Sequence, residues 1–176
     1  MGLFDRLRGR SAEPPPSDAY TALRTRALGV QPADLGPTAD PAAPIHGVIM
    51  ESGHPNGVAT FVCMGDGTVS LYTSTGGGVI GAGEHESVRG ACLQMLAFTN
   101  RYAEDFIRAS MPSPTHPLPR NGEVFFYLLT GSGVYRAQGD AADLARRRHP
   151  FSNLFENCNV VMSLVRRIDE RGRSGS

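Results

Sequence analysis

The chain has 176 residues, a length that suits one domain with terminal extensions. Seventeen basic and seventeen acidic residues give a formal net charge of zero, which excludes a global field that recruits nucleic acid. All seventeen basic residues are arginine, so lysine Schiff-base chemistry and a phosphate-binding-loop lysine are excluded as well. The exclusive use of arginine is also typical of a GC-rich bacterial genome.

Residues 1–16 are predicted to form a disordered tail, because they end in three consecutive prolines. The apolar residues Leu3, Phe4 and Leu7 alternate there with arginines, a pattern that suits contact with a partner or a membrane surface. The segment is too short to anchor the chain alone, and no stretch reaches the roughly 18 apolar residues of a membrane span. The sequence therefore predicts no stable membrane anchor.

The ordered domain is predicted to cover residues 17–168. It begins with a short helix that Ser17 or Asp18 caps and that ends near Leu28. Residues 31–44 contain four prolines and are predicted to form a connector. Three segments with strand patterns follow, and their connections are too short for helical crossovers, so the strands should be antiparallel. These predicted strands are 46–51, 58–64 and 68–73.

A long amphipathic helix is predicted from Glu84 to about Met111, where the proline-rich connector 111–121 stops it. Two further strands and a final helix complete the predicted domain at residue 168. The tail 169–176 contains mainly Gly, Ser and Arg and is predicted to be disordered. The last two predicted strands are 124–129 and 134–138, and the last predicted helix is 153–168.

This order of elements predicts an α+β fold with two layers. The expected sheet has five antiparallel strands with helices mainly on one face, in the order α-β-β-β-α-β-β-α. The order resembles the small type III secretion chaperone-like fold over roughly residues 17–168. Chaperones of this kind are typically homodimers, so the resemblance implies a protein-binding role and a homodimer.

A glycine-rich turn at residues 74–83 joins a predicted strand to the long helix, a position where bare backbone amides can bind anions. Glu84 and Glu86 place two carboxylates at the positive helix end and oppose a phosphate there. The glycines therefore serve either a tight chain reversal or a ligand site of another kind. The candidate ligand-binding residues are Gly76, Gly77, Gly78, Gly81, Gly83, Glu84 and His85.

No arrangement of residues indicates catalysis, a metal or a cofactor. The five histidines do not occur at zinc-ligand spacing with each other or with cysteine. Cys63, Cys92 and Cys158 each lie in an apolar pattern, which is typical of reduced core thiols in a cytoplasmic protein. Catalytic activity is accordingly disfavoured and no catalytic residue is assigned.

The resulting hypothesis is a cytoplasmic, non-catalytic module that binds another protein as an adaptor, a chaperone-like protein or a regulator, either as a homodimer or within a larger assembly. The alternative is a small-molecule-sensing domain that uses the turn Gly76 to Gly83. An exposed apolar surface favours the first hypothesis. A pocket lined by glycine amides favours the second.

Overall fold

The computed structural model describes residues 15–174. Within them the chain forms an α+β fold with five α-helices and one antiparallel sheet of seven strands. The helices are α1 (Asp18–Leu28), α2 (Glu86–Arg101), α3 (Ala103–Arg108), α4 (Ala141–Ala145) and α5 (Ser152–Ser174). The strands are β1 (Ile45–His54), β2 (Gly57–Met64), β3 (Val69–Thr73), β4 (Gly78–Val79), β5 (Met111–Pro112), β6 (Glu123–Thr130) and β7 (Gly133–Asp140). Their order across the sheet is β4-β3-β2-β1-β6-β7-β5.

The prediction of a five-stranded sheet is wrong, because β4 and β5 add one short strand to each edge. β4 lies inside the glycine-rich turn, and β5 opens the proline-rich segment after the long helix. Each has only two residues, too few to produce the alternating apolar pattern by which a strand is recognised in a sequence. The five long strands lie where the sequence predicts them.

The two faces of the sheet are covered by different helices. Alternation along β2 places Phe61 and Cys63 in the larger core with α2 to α5, while Val62 and Met64 face α1. The second, smaller core contains Tyr20 of α1 and aromatic residues of β3 and β6. Four of the five helices thus share one face, but α1 adds a third layer to the predicted two.

Several predicted boundaries differ from those in the structure. The long helix predicted from Glu84 is divided at Tyr102 into α2 and α3, where the backbone leaves the helical region. α5 continues to Ser174, so the predicted tail 169–176 is helical as far as that residue. Residues 1–14 of the predicted N-terminal tail lie outside the described residues.

The connector 31–44 contains a 3₁₀ turn at Pro32–Asp34, and the connector 111–121 contributes β5.

Of the helices in residues 15–174, none is both long enough and apolar enough to cross a bilayer.

Candidate functional site: a groove beside helix α1

Helix α1 is held on the sheet by a buried ion pair between Arg24 and Glu51 of β1. The guanidinium donates from Nε to Oε1 at 2.6 Å and from Nη2 to Oε2 at 2.8 Å. It also donates to the carbonyl oxygens of His116 at 2.9 Å and Pro117 at 3.1 Å. One side chain therefore fastens α1 to both the sheet and the proline-rich segment before β6. We call these residues and their hydroxyl partners the Arg24 network.

The hydroxyl groups around Glu51 form a directed chain. Thr60 donates its single hydroxyl proton to Glu51 Oε1 at 3.1 Å. Tyr20 must therefore be the donor in its 2.8 Å hydrogen bond with Thr60. Tyr127 donates to the carbonyl oxygen of Pro117 and accepts from Arg24 Nη2 at 3.4 Å. These bonds compensate most of the cost of burying a carboxylate.

Burial sets the protonation of the network. It raises the pKa of Tyr20 and of Tyr127 to about 12, and the nearby Glu51 charge acts in the same direction. Burial alone would lower the pKa of Arg24, but its hydrogen bond to Glu51 and the Glu51 charge raise it overall. The tyrosines therefore stay neutral and the guanidinium stays charged at every physiological pH.

The Arg24 network is suited to a structural role. The Glu51 side chain is 0% exposed and that of Arg24 only 13%, so no substrate reaches the carboxylate. The hydroxyl of Tyr72, whose ring packs against that of Tyr20, has no hydrogen-bond partner among the described residues. We conclude that the network fixes the position of α1 and with it the surface that lies alongside.

That surface is a groove of about 820 Å³ between α1 and the outer part of the sheet, here called the α1 groove. One wall is formed by Leu23 and Ala27 of α1 with Val30, which follows the helix. The floor carries Val62 of β2 and Tyr72 of β3. The volume lies within the range of small-molecule sites in proteins, and the walls and floor are mainly apolar.

The lining of the α1 groove also contains one exposed apolar residue and three charged side chains. Ile80, which follows β4, lines the groove and is 63% exposed, the largest exposed fraction of any large apolar residue described. Asp34 and Asp66 supply two carboxylates and Arg26 supplies one guanidinium. The groove thus combines an apolar floor with a net negative charge, which favours an apolar segment that also carries a basic side chain.

The seven residues predicted for a ligand site are distributed along the chain between β3 and α2. Gly76 and Gly77 follow β3, Gly78 is part of β4, and Gly81 precedes a 3₁₀ turn at Ala82–Glu84. Glu84 ends this 3₁₀ turn, which contains Gly83, and His85 caps α2. None of the seven lines the α1 groove, whereas Ile80 between them does.

Three backbone amides of this turn donate to carbonyl oxygens of the turn itself or of the adjacent Thr73. The Gly76 amide donates to the carbonyl oxygen of Thr73 at 3.1 Å, and the Glu84 amide donates to Gly81 at 3.0 Å. The His85 amide donates to Ala82 at 3.1 Å. These amides stabilise the reversal between β3 and α2, which is the tight-turn interpretation of the glycines.

Close packing distinguishes two adjacent glycines in the turn. Gly77 (φ +84°) has no atom within 4 Å of a hypothetical Cβ, whereas that of Gly78 (φ +136°) would lie 2.3 Å from the carbonyl oxygen of Leu71. We expect Gly77→Ala to lower the free energy of unfolding by about 1 kcal/mol through backbone strain alone. We expect Gly78→Ala to lower the free energy of unfolding by about 1–3 kcal/mol more than Gly77→Ala does, because β3 and β4 must move apart to make room for the methyl group. Chemical denaturation measures both, and equal stabilities would contradict this account of the turn.

The other candidate residues do not form a reaction centre. The three cysteines are free and buried in the core, as predicted, and burial raises the pKa of Cys63 and Cys158 well above the usual thiol range. Within residues 15–174, no group of three or more His, Cys, Asp or Glu side chains is placed to hold a metal ion. Burial and the Arg24 charge lower the pKa of His116, which lies beside Tyr127.

Comparisons of the chain with protein-family models, with curated proteins and with solved structures give no match.

Proposed function

We propose that the chain is a non-catalytic protein-binding module, and that the α1 groove receives an extended apolar segment of a partner protein. The observation that carries the proposal is the groove itself, which joins a half-buried stripe of α1 to the exposed Ile80. Val62 and Tyr72 of the floor are each 4% exposed, so the apolar surface open to a partner consists of Ile80 and the half-buried side chains of α1. The module is an adaptor, a chaperone-like protein or a regulator.

The shape of the groove supports a peptide segment as its occupant. Leu23 and Val30 are seven residues apart on the wall, which corresponds to about 10 Å along a helix axis. An extended peptide covers this distance with about three residues. Asp34 and Asp66 then lie within reach of a basic side chain that flanks the apolar residues. We therefore assign the occupant as an apolar segment with at least one arginine or lysine.

Compartment and self-association are part of the same proposal. The three free thiols support a reducing compartment, for which we propose the bacterial cytoplasm. We further propose that the chain can form a homodimer, as its resemblance to the secretion chaperones implies. Analytical ultracentrifugation of the Ile80→Arg variant measures whether the dimer is still present. A dimer formed through a surface other than the α1 groove persists in this variant, so the measurement separates self-association from groove binding.

Two matched variants test the groove. Ile80→Arg introduces a charge at a groove residue that is 63% exposed, and Val160→Arg makes the same change at a residue of α5 that is 60% exposed. Both residues are exposed, so each variant should fold with stability close to that of the native chain. We expect proteins captured from an extract of the native cells to be lost with Ile80→Arg and retained with Val160→Arg.

Quantitative mass spectrometry measures the amount of each protein captured by the native chain and by the two variants. Equal capture by the native chain and both variants would contradict the groove as the docking site, even if a partner is found. Circular dichroism of each variant confirms that any loss of capture does not result from unfolding.

A small-molecule-sensing domain is the second candidate. The observation that favours it is that Ile80, inside the Gly76–Gly83 segment, lines a groove whose volume also suits a small ligand. This function predicts that the purified chain retains a small molecule detectable by mass spectrometry after denaturation. It also predicts that Ile80→Arg reduces this retention, since Ile80 is the residue of the turn that lines the groove.

A further inference from the structure

We propose that residues 1–14 of this chain occupy the α1 groove when no partner is bound and compete with the partner for it. The inference rests on the proposed function, because it takes the same groove as the docking site. The two can nevertheless fail separately, as the experiment below is designed to show.

The first observation is where these residues join the structure. The backbone amide of Ser17, which caps α1, donates to the carbonyl oxygen of Ser74 at 2.9 Å. Ser74 directly follows β3 and is buried, and its hydroxyl accepts from the Val58 amide at 2.8 Å. The chain therefore enters α1 beside the end of β3, two residues from the Tyr72 that forms part of the groove floor.

The second observation is the reach of the segment. Val30, at the far end of the wall, is 13 residues from Ser17, which corresponds to about 20 Å along a helix axis. Leu7 is eight residues from Pro15, where the described chain begins, and eight extended residues span up to about 28 Å. Leu7 can thus reach any point of the groove, and so can Leu3 and Phe4.

The third observation is chemical complementarity. Residues 1–14 contain the apolar side chains Leu3, Phe4 and Leu7 together with three arginines and only two acidic residues. The groove pairs an apolar floor with the carboxylates of Asp34 and Asp66, which outnumber the single guanidinium of Arg26. The partner segment inferred for the groove combines apolar and basic side chains, and residues 1–14 of this chain have the same combination. A tethered segment experiences an effective concentration in the millimolar range, so even weak intrinsic binding leaves the groove largely filled.

The experiment uses the full chain and a fluorescein-labelled synthetic peptide with the sequence of residues 1–14 as the probe. The native chain is compared with a full-length triple variant, Leu3→Ser, Phe4→Ser and Leu7→Ser, whose own segment no longer competes. We expect the triple variant to bind the probe about tenfold more tightly than the native chain by fluorescence anisotropy. Adding Ile80→Arg to the triple variant should abolish this binding, and adding Val160→Arg should leave it unchanged.

Three results would overturn the inference. They are equal affinity of the probe for the native chain and the triple variant, no binding to either, and binding that Ile80→Arg does not weaken. If the probe fails to bind while capture of a partner still depends on Ile80, the inference is wrong and the proposed function stands. If the probe binds as expected but capture is independent of Ile80, the proposed function is wrong and the groove serves residues 1–14 alone.

Discussion

Replacing Arg24 by methionine is expected to lower the free energy of unfolding by about 3–5 kcal/mol, because the substitution leaves the buried carboxylate of Glu51 without its counter-charge. The side chain of Glu51 is fully buried, and among the described residues the hydroxyl groups of Thr60 and Tyr20 would be left to stabilise its charge. Urea denaturation followed by circular dichroism measures the loss. Arg147→Met is the matched control, since Arg147 forms the same two-bond pair with Glu156 at the exposed surface. There we expect a change of at most about 1 kcal/mol.

A double variant tests whether the cost comes from the unpaired charge. Arg24→Met combined with Glu51→Leu removes both charges, and we expect it to recover most of the stability lost in Arg24→Met. A double variant that is less stable than Arg24→Met would contradict this explanation. So would an Arg24→Met variant as stable as the Arg147→Met control.

Alkaline unfolding between about pH 10 and pH 12 is the second large effect. Burial raises the pKa of Tyr20 and Tyr127 from the ordinary value of 10.0 to about 12. The folded chain therefore holds these two protons more tightly than the unfolded chain does. The resulting stabilisation is complete below pH 10 and is lost as the pH rises toward 12. Burial also raises the pKa of Tyr72, which adds to the same trend.

Absorbance at 295 nm and far-ultraviolet circular dichroism, recorded on the same samples, check this prediction. We expect the ionisation of the buried tyrosines to coincide with loss of secondary structure. Ionisation of all tyrosines near pH 10 with the fold intact would contradict the burial of the Arg24 network. Tyr20→Phe, which removes one of the raised pKa values, should make stability less sensitive to pH in this window.

The elements with strong local patterns were predictable from the sequence. Apolar residues on both faces of β2 indicated a strand covered on both sides, and Val62 and Phe61 do lie in two different cores. The apolar stripe of α2 likewise predicted its position on the sheet. In these segments the pattern repeats over several residues, so local information suffices.

The Arg24 network was not predictable, because its partners are distant in sequence. Arg24 and Glu51 are 27 residues apart, and Arg24 and Tyr127 are 103 residues apart. Glu51 ends a predicted strand, and a single acidic residue at a strand end does not indicate whether its side chain is buried or exposed. The only available signal was the alternation that places Glu51 on the same face of β1 as the buried Ile49.

The glycine-rich turn shows why a motif can be located correctly and still leave its role open. The glycines do lie between a strand and a helix, as predicted. The sequence could not reveal that a Cβ on Gly83 would lie 2.0 Å from the carbonyl oxygen of Gly67. Glycine is required at this position because a distant backbone segment packs against it, and such a tertiary contact cannot be read from the local sequence. The α1 groove was hidden for the same reason, since its lining comes from α1, the connector 31–44, the strands β2 and β3, and Ile80 after β4.

Site-specific photo-cross-linking tests the central claim most directly. A benzophenone amino acid is placed at Ile80 or at Val160 of the full chain, and each protein is irradiated in an extract of the native cells. The account predicts adducts from Ile80 that map to an apolar, basic-flanked segment of another protein, and none from Val160. Adducts of equal yield at both positions, or none from Ile80 with a partner still captured, would contradict the α1 groove as the protein-binding site.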